Sequence, residues 1–295
     1  MIAMIDRRLM FDRGAASMSS LPVSAESEAR SSGEGPAFLV FDTESVPDGK
    51  LLAQVKYASD NLSPEEAISR AQQEARERSR DQSDFLPVTF QVPIAVCVAR
   101  VDSEFRLLGL SSLDSPQFRT REIVGVFWRA LAKYPRARLV TFNGRGFDLP
   151  LLELGAFRYG HGARDYFQSC RDRYKGLGHL DLCDWLANYG ACRITGGLNL
   201  LSKLLGKPGK MEVSGDQVYQ MHMAGKIQEI NEYCMFDTLD TYFVFLRTRV
   251  LTGELTLEEE HERVALARQW ATSQVEAMPA LCRYLDNWGT WEPWP

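Results

Sequence analysis

The stretch AFLVFDTESVPDGK, residues 37 to 50, constrains the fold more than any other part of the chain. Phe38, Leu39, Val40 and Phe41 form a continuous apolar run, as a strand buried on both faces requires. Asp42 and Glu44 follow at once. Strand side chains alternate faces with a rise of roughly 3.3 Å per residue, so these carboxylates point the same way about 6.6 Å apart. Acids at an exposed strand end can simply keep a surface soluble. The large apolar residues before Asp42 instead place it at the edge of the core, where an acid pair without a counter-ion is costly. The stretch therefore reads as part of a cation site, and the rest of the chain must supply the other ligands.

The order of elements predicts an α/β domain with a mixed sheet. SPEEAISRAQQEARERSRDQ (63 to 82) starts with a capping box, Ser63 to Glu66, and carries Pro64 at the first helical position of a polar surface helix. VPIAVCVARVD (92 to 102) and FRLLGLSSL (105 to 113) read as a hairpin. REIVGVFWRALAKYP (121 to 135) has helical apolar spacing, RLVTFNG (138 to 144) is a short strand, and DLPLLELGAFRYG opens another helix. HLDLCDWLANYG (179 to 190) and LNLLSKLLGKPG (198 to 209) read as helical, and 226 to 251 is the longest helical pattern. Three regions follow: a disordered leader over 1–36, a domain over 37–250 with a helical insertion at about 50–90, and a helical extension with a Trp-rich tail over 251–295.

With 295 residues, 45% of them hydrophobic, the chain reads as soluble and globular, and no run approaches a membrane span. The N-terminus lacks the apolar core of a secretory signal; Arg7, Arg8 and Arg13 hint at a transit peptide, but Asp6, Asp12 and Glu26 argue against one. Met4, Met10 and Met18 are alternative starts. Six cysteines without paired C-x-x-C spacing read as reduced thiols of a cytoplasmic protein. A net charge of −5 confines any nucleic-acid contact to a local patch.

Two further acids stand out. Asp148 follows the strand LVTF through the loop NGRGF, where open α/β sheets place ligands; capping of the following helix is the alternative. Tyr233 and Asp237, four apart, share one helix face, either as site residues or as a core-edge Tyr beside a solvated Asp. Together F-D-T-E (41 to 44), N-G-R-G-F-D (143 to 148) and Y-C-M-F-D (233 to 237) resemble, in order and spacing, the three motifs of the DEDD 3′–5′ exonucleases. The likeness covers roughly 37 to 250. NGRGFDLPLL, HLDL and LGKPGK further resemble stand-alone predicted exonucleases related to the proofreading domain of family-B DNA polymerases.

That resemblance implies a ribonuclease H-like fold, with a mixed central sheet flanked by helices. It makes Asp42, Glu44, Asp148 and Asp237 the ligands of two Mg²⁺ or Mn²⁺ ions, and Tyr233 the residue that positions the attacking water. Carboxylate oxygens suit such hard cations, and two ions about 3.5–4 Å apart serve both the attacking and the leaving oxygen. Glu232 stands where the histidine subclass has His, so the resemblance is to the tyrosine type. Thr43, Asn143 and Phe147 fall where the family meets the terminal nucleotide, although a turn Asn and a core Phe are alternatives.

Other candidates carry less. Asp240 reads as surface or supporting, Asp181 and Asp184 as helix solvation or capping, and His179 as polar surface. GKPGK (206 to 210) lacks the glycine spacing and Ser/Thr of a phosphate loop. The basic and aromatic stretch 157 to 176 reads equally as a single-strand channel or as a solvated loop with core aromatics. The expected activity is a metal-dependent 3′–5′ exonuclease on single-stranded DNA. RNA trimming, a silent nucleic-acid-binding module of the same fold and a phosphoesterase for small nucleotides are the alternatives. A polymerase or repair protein is the expected protein partner, with no membrane involved.

Overall fold

The computed structural model describes residues 35–80, 82–172, 178–211 and 215–293. The expected leader lies, through residue 34, outside the described residues. From Gly35 onward the chain forms one compact unit. Its central strand, β1, spans Phe38–Pro47 and so runs through both Asp42 and Glu44 rather than ending at Phe41. Beside it lie β2 (Gln91–Val101) and, beyond that, β3 (Leu107–Ser112), each antiparallel to its neighbour. On the other side come β4 (Arg138–Thr141) and β5 (His179–Asp181), both parallel to β1. The order is β3-β2-β1-β4-β5, and only β2 runs against the rest. This is the mixed α/β sheet of the ribonuclease H-like fold.

The insertion after β1 holds α1 (Gly49–Leu51), which continues into a π-turn, Leu52–Lys56, and α2 (Pro64–Arg78). Both halves of the α2 capping box are present. The insertion has its own small core of Leu52, Tyr57, Ala67, Ile68, Ala71 and Leu86. The remaining helices are α3 (Thr120–Lys133), α4 (Asp148–Tyr159), α5 (Leu182–Leu186), α6 (Gly197–Leu204), α7 (Val218–Met223), α8 (Ile227–Leu251), α9 (Leu257–Ser273) and α10 (Ala280–Asp286).

Alternation along β1 sorts these helices into layers. Val40 joins the cluster built around α8, with Tyr242, Phe243 and Phe245, while Phe38 packs at its edge. Leu39 and Phe41 join the cluster of α3 and α4, with Phe127, Trp128 and Leu152. The even-numbered row of β1 thus faces α8 and the odd-numbered row faces α3 and α4. Continuing the rows carries Asp42 and Glu44 toward α8 and Thr43 toward the start of α4. Just past Glu44 the β1–β2 register shifts, between the Glu44–Ala95 and Ser45–Pro93 pairs. The bulge there interrupts the ladder beside the acids, and pairing resumes beyond it from Ser45 to Pro47; bulges are common next to sites.

Two readings need correction. HLDLCDWLANYG is not wholly helical: His179, Leu180 and Asp181 form β5, and only then does the short α5 begin. Three residues are too few to show a strand period, and their pairing to β4 decides the outcome. The Trp-rich end is not a detached tail, because Trp288 packs edge-on against Phe243 and Tyr284. Gly206 makes that packing possible. It sits at φ +65°, and a Cβ there would lie 2.7 Å from the Thr290 carbonyl and 2.8 Å from Trp291 N. Gly206→Ala should cost about 1–2 kcal/mol for the left-handed backbone alone, and more from lifting the terminal segment. A lowered urea midpoint is the expected reading; an unchanged one would show that the segment is not held at this glycine.

Candidate metal centre

The two rows of β1 bring the acids together from separate elements. Asp42, Glu44 and Asp237 each offer a carboxylate oxygen within 4.8 Å of the others. Asp237 comes from α8, the helix that the even row faces. Asp148 stands at the first residue of α4 and is only 3% exposed. It is not a helix cap: Phe147 holds the cap position without a side-chain bond. Instead Asp148 Oδ1 accepts a hydrogen bond of 2.5 Å from Thr43 Oγ1. Thr43, on the odd row, thereby ties the α4 carboxylate to the strand that carries the other two, and its hydroxyl is committed to that bond. Asp148 lies close enough to raise both Asp42 and Glu44 by charge repulsion.

Burial is the largest influence on all four carboxyls; repulsion within the cluster adds to it for Asp42 and Glu44, and the Asp181 charge adds to it for Asp148. Asp42 and Glu44 are both pushed well above the usual range. Burial lifts Asp148 to about 7, against the lowering effect of the Thr43 hydrogen bond. Asp237 also rises to about 7, through burial and then the Asp240 charge, while Tyr233 and Lys210 pull it down. Four such groups in one corner hold together as carboxylates only if positive charge joins them. The donor set is all oxygen, which fits a hard divalent cation such as Mg²⁺ or Mn²⁺.

Tyr233 lies one helical turn before Asp237 and is buried. Burial first, then the Asp237, Glu44 and Asp42 charges, push its phenol far upward, so it stays neutral with its hydroxyl hydrogen in place to donate. Beneath the acids, Cys234 Sγ donates to the Asp42 carbonyl at 3.2 Å. Asp240 is buried rather than on the surface: the Tyr284 hydroxyl of α10 donates to its Oδ1 at 2.5 Å. His179 is likewise buried, with Nε2 at 2.8 Å from Thr141 Oγ1, and burial drives its pKa down to about 3. Asp181 does cap α5, and it also accepts from the backbone N–H groups of Asn143 and Arg145. It therefore shapes the loop that leads to Asp148.

Asn143 is exposed at φ +66°, and the Phe147 ring packs at a tilt, 5.6 Å between centres, against Phe85, which comes from the segment before β2. Lys210 was missed by sequence reasoning: it lowers both Glu44 and Asp237 from within the loop rejected as a phosphate loop. The basic and aromatic stretch divides. Tyr166 is core, packed on Trp128 with its hydroxyl donating to Glu153 at 2.7 Å, and Arg171 also pairs with Glu153. Arg158 pairs with Asp48, whereas Phe157 stands 89% exposed. Arg173, Tyr174 and Lys175 lie outside the described residues.

A ribonuclease H-like sheet with clustered carboxylates at β1 defines a class of metal-dependent nucleases. Within it, residues 83–288 match the model of a family described as a predicted 3′–5′ exonuclease related to the exonuclease domain of PolB. The chain belongs to that family. The match begins after β1, so the inclusion of Asp42 and Glu44 in the site rests on the geometry. No curated protein matches the chain. No helix among the described residues is long and apolar enough to cross a membrane.

The raised carboxyls set a direction for stability. Unfolded, these groups titrate near 4; folded, Asp148 and Asp237 titrate at about 7 and the other two are also raised. Between those values the folded state holds more protons, so stability falls as pH rises from about 4 to about 7. In a chelator the melting temperature should therefore be lower at pH 8 than at pH 5, and Mn²⁺ should restore it at pH 8. A melting temperature flat across that window, with or without metal, would contradict the electrostatics.

Proposed function

We propose that this protein removes nucleoside monophosphates from the 3′ end of single-stranded DNA, with two Mg²⁺ or Mn²⁺ ions held by Asp42, Glu44, Asp148 and Asp237. The observation that carries the reading is the convergence of Asp42, Glu44 and Asp237 within 4.8 Å, with Asp148 hydrogen-bonded into the same corner through Thr43. Membership of the exonuclease family supports the direction of attack. Bound cations would supply charge neutralisation for the phosphodiester and lower the pKa of water at neutral pH.

The chain's own groups account for the remaining work. The Tyr233 phenol, neutral because burial and nearby acids forbid its ionisation, orients the attacking water by hydrogen bonding. Thr43 fixes the rotamer of Asp148 from below. Asn143, exposed at the turn before α4, and Phe147, packed at a tilt against Phe85, are the proposed contacts of the terminal sugar and base. Lys210, whose charge reaches Glu44 and Asp237, draws the substrate phosphate toward the acids.

The decisive assay uses 5′-labelled single strands of DNA and RNA of one sequence, in Mg²⁺, Mn²⁺ or EDTA. A ladder shortening from the 3′ end is expected, lost in EDTA and in Asp42→Ala and Asp237→Ala. Preference between the two strands identifies the substrate. Near-normal cleavage by either variant would sink the assignment, and tight binding without cleavage by the wild type would favour a silent binding module. Thr43→Val, which leaves Asp148 without its donor, should weaken metal affinity or activity by roughly 10–100-fold. Tyr233→Phe should lower kcat with KM nearly unchanged.

A further inference from the structure

We propose that a second cavity, between the loop after α6, α8, α9 and the terminal Trp segment, is a binding site for a nucleotide, with its phosphate on Lys207 and Arg268 and its base against the Trp288 and Trp291 indoles. The cavity measures about 340 Å³ and is open on one side. That is within the size range of small-ligand sites. It lies beyond the carboxylate corner, with Arg247 roughly 15 Å along α8 from Asp237.

The lining combines the two chemistries that nucleotides need. Lys207, Arg247 and Arg268 all border the cavity. Among the described residues the one carboxylate in the lining, Glu260, is bonded to Arg247 at 2.6 Å, which leaves two of these positive charges in surplus. This is notable in a chain whose net charge is −5. Lys207 is only 6% exposed, and among the described residues its ammonium has one hydrogen-bond acceptor, the Leu205 carbonyl at 3.2 Å. An ammonium has three donors; beyond that carbonyl it meets the Phe243 and Trp288 ring faces at 5.1 and 4.6 Å, and among the described residues no second oxygen or nitrogen accepts from it. Burial accordingly lowers its pKa to about 8, and an anion in the cavity would reverse that penalty.

The rings supply the second half. Lys207 Nζ stands 4.6 Å from the Trp288 ring centre and the Arg247 guanidinium 4.7 Å from that of Trp291. These cation–ring pairs fasten the terminal segment, and the cavity that the same residues border is left unfilled beside them. Phosphate on guanidinium and ammonium groups, with a base stacked on indole, is the recognition mode used for nucleotides and single strands. The surrounding loop also carries Lys210, which acts on the carboxylate corner, so the two places share one segment of chain.

This assignment does not depend on catalysis, and its test keeps the two apart. Binding is measured calorimetrically in EDTA, with adenosine 5′-monophosphate, adenosine, inorganic phosphate and a five-residue oligodeoxyadenylate as probes. The monophosphate or the oligonucleotide should bind, and adenosine and phosphate should each bind more weakly. Arg268→Glu, at an exposed position, and Lys207→Met should each weaken binding by at least roughly tenfold, with Asp237→Ala as the control that binds normally. Melting curves establish that both variants are folded. Binding of the monophosphate identifies a free nucleotide as the ligand, and binding of the oligonucleotide alone identifies a unit of a longer strand. No binding of either probe, or equal binding by folded Arg268→Glu, would overturn the proposal whatever the cleavage assay shows.

Discussion

Repulsion among four clustered carboxylates, Glu44 and Asp148 buried and Asp42 and Asp237 partly so, is the constraint on which the rest of this structure depends. Left alone, the groups resist being charged together, and burial makes the resistance stronger. The fold overcomes it with scaffolding. β1 is the central strand: β4 pairs with its start, Phe38, Leu39 and Val40, and β2 pairs with it through Asp42 and Glu44, which holds the acid-bearing end in the sheet. α8 is buried along most of its length and delivers Asp237 from a rigid helix. The Thr43 hydroxyl holds Asp148. Rigid placement of like charges lowers stability in return for a site pre-shaped for cations, a familiar exchange between stability and function.

Support extends well behind the ligands. Asp240 lies within one turn of Asp237 and raises its carboxyl, yet it is buried and held by the Tyr284 hydroxyl. Arg283 of the same helix pairs with Glu232 at 3.1 Å, beside Tyr233. α10 thus braces the part of α8 that presents the site. The C-terminal residues, which carry no recognisable motif, are mechanically part of the centre.

The sequence revealed what local chemistry determines. The capping box of α2, the β2–β3 hairpin and the period of α3 depend on residues a few positions apart, and each took the expected form. The acids were legible because β-strand alternation is itself local: Asp42 and Glu44 had to share a face. What stayed hidden depends on distant partners. β5 is a strand only because β4 lies beside it. Asp240 read as either a surface or a supporting acid, and the choice stayed open because its partner lies 44 residues later. His179 looked like surface until Thr141 and the sheet enclosed it. Lys210 carries no motif, and its influence on the acids comes from the path of a loop.

The residues of the centre enter the chain far apart, at 42 and 44, at 148 and at 237, on three different elements. The neighbours of β1 are also distant in sequence, since β4 begins only at Arg138. Loop closure must therefore precede most of the contacts that reward it, which makes for slow, cooperative folding. No early subset of the chain can assemble the cation site. Metal affinity at the proposed site would then be a property of the completed fold, and it would report global folding more faithfully than any single helix or strand signal could.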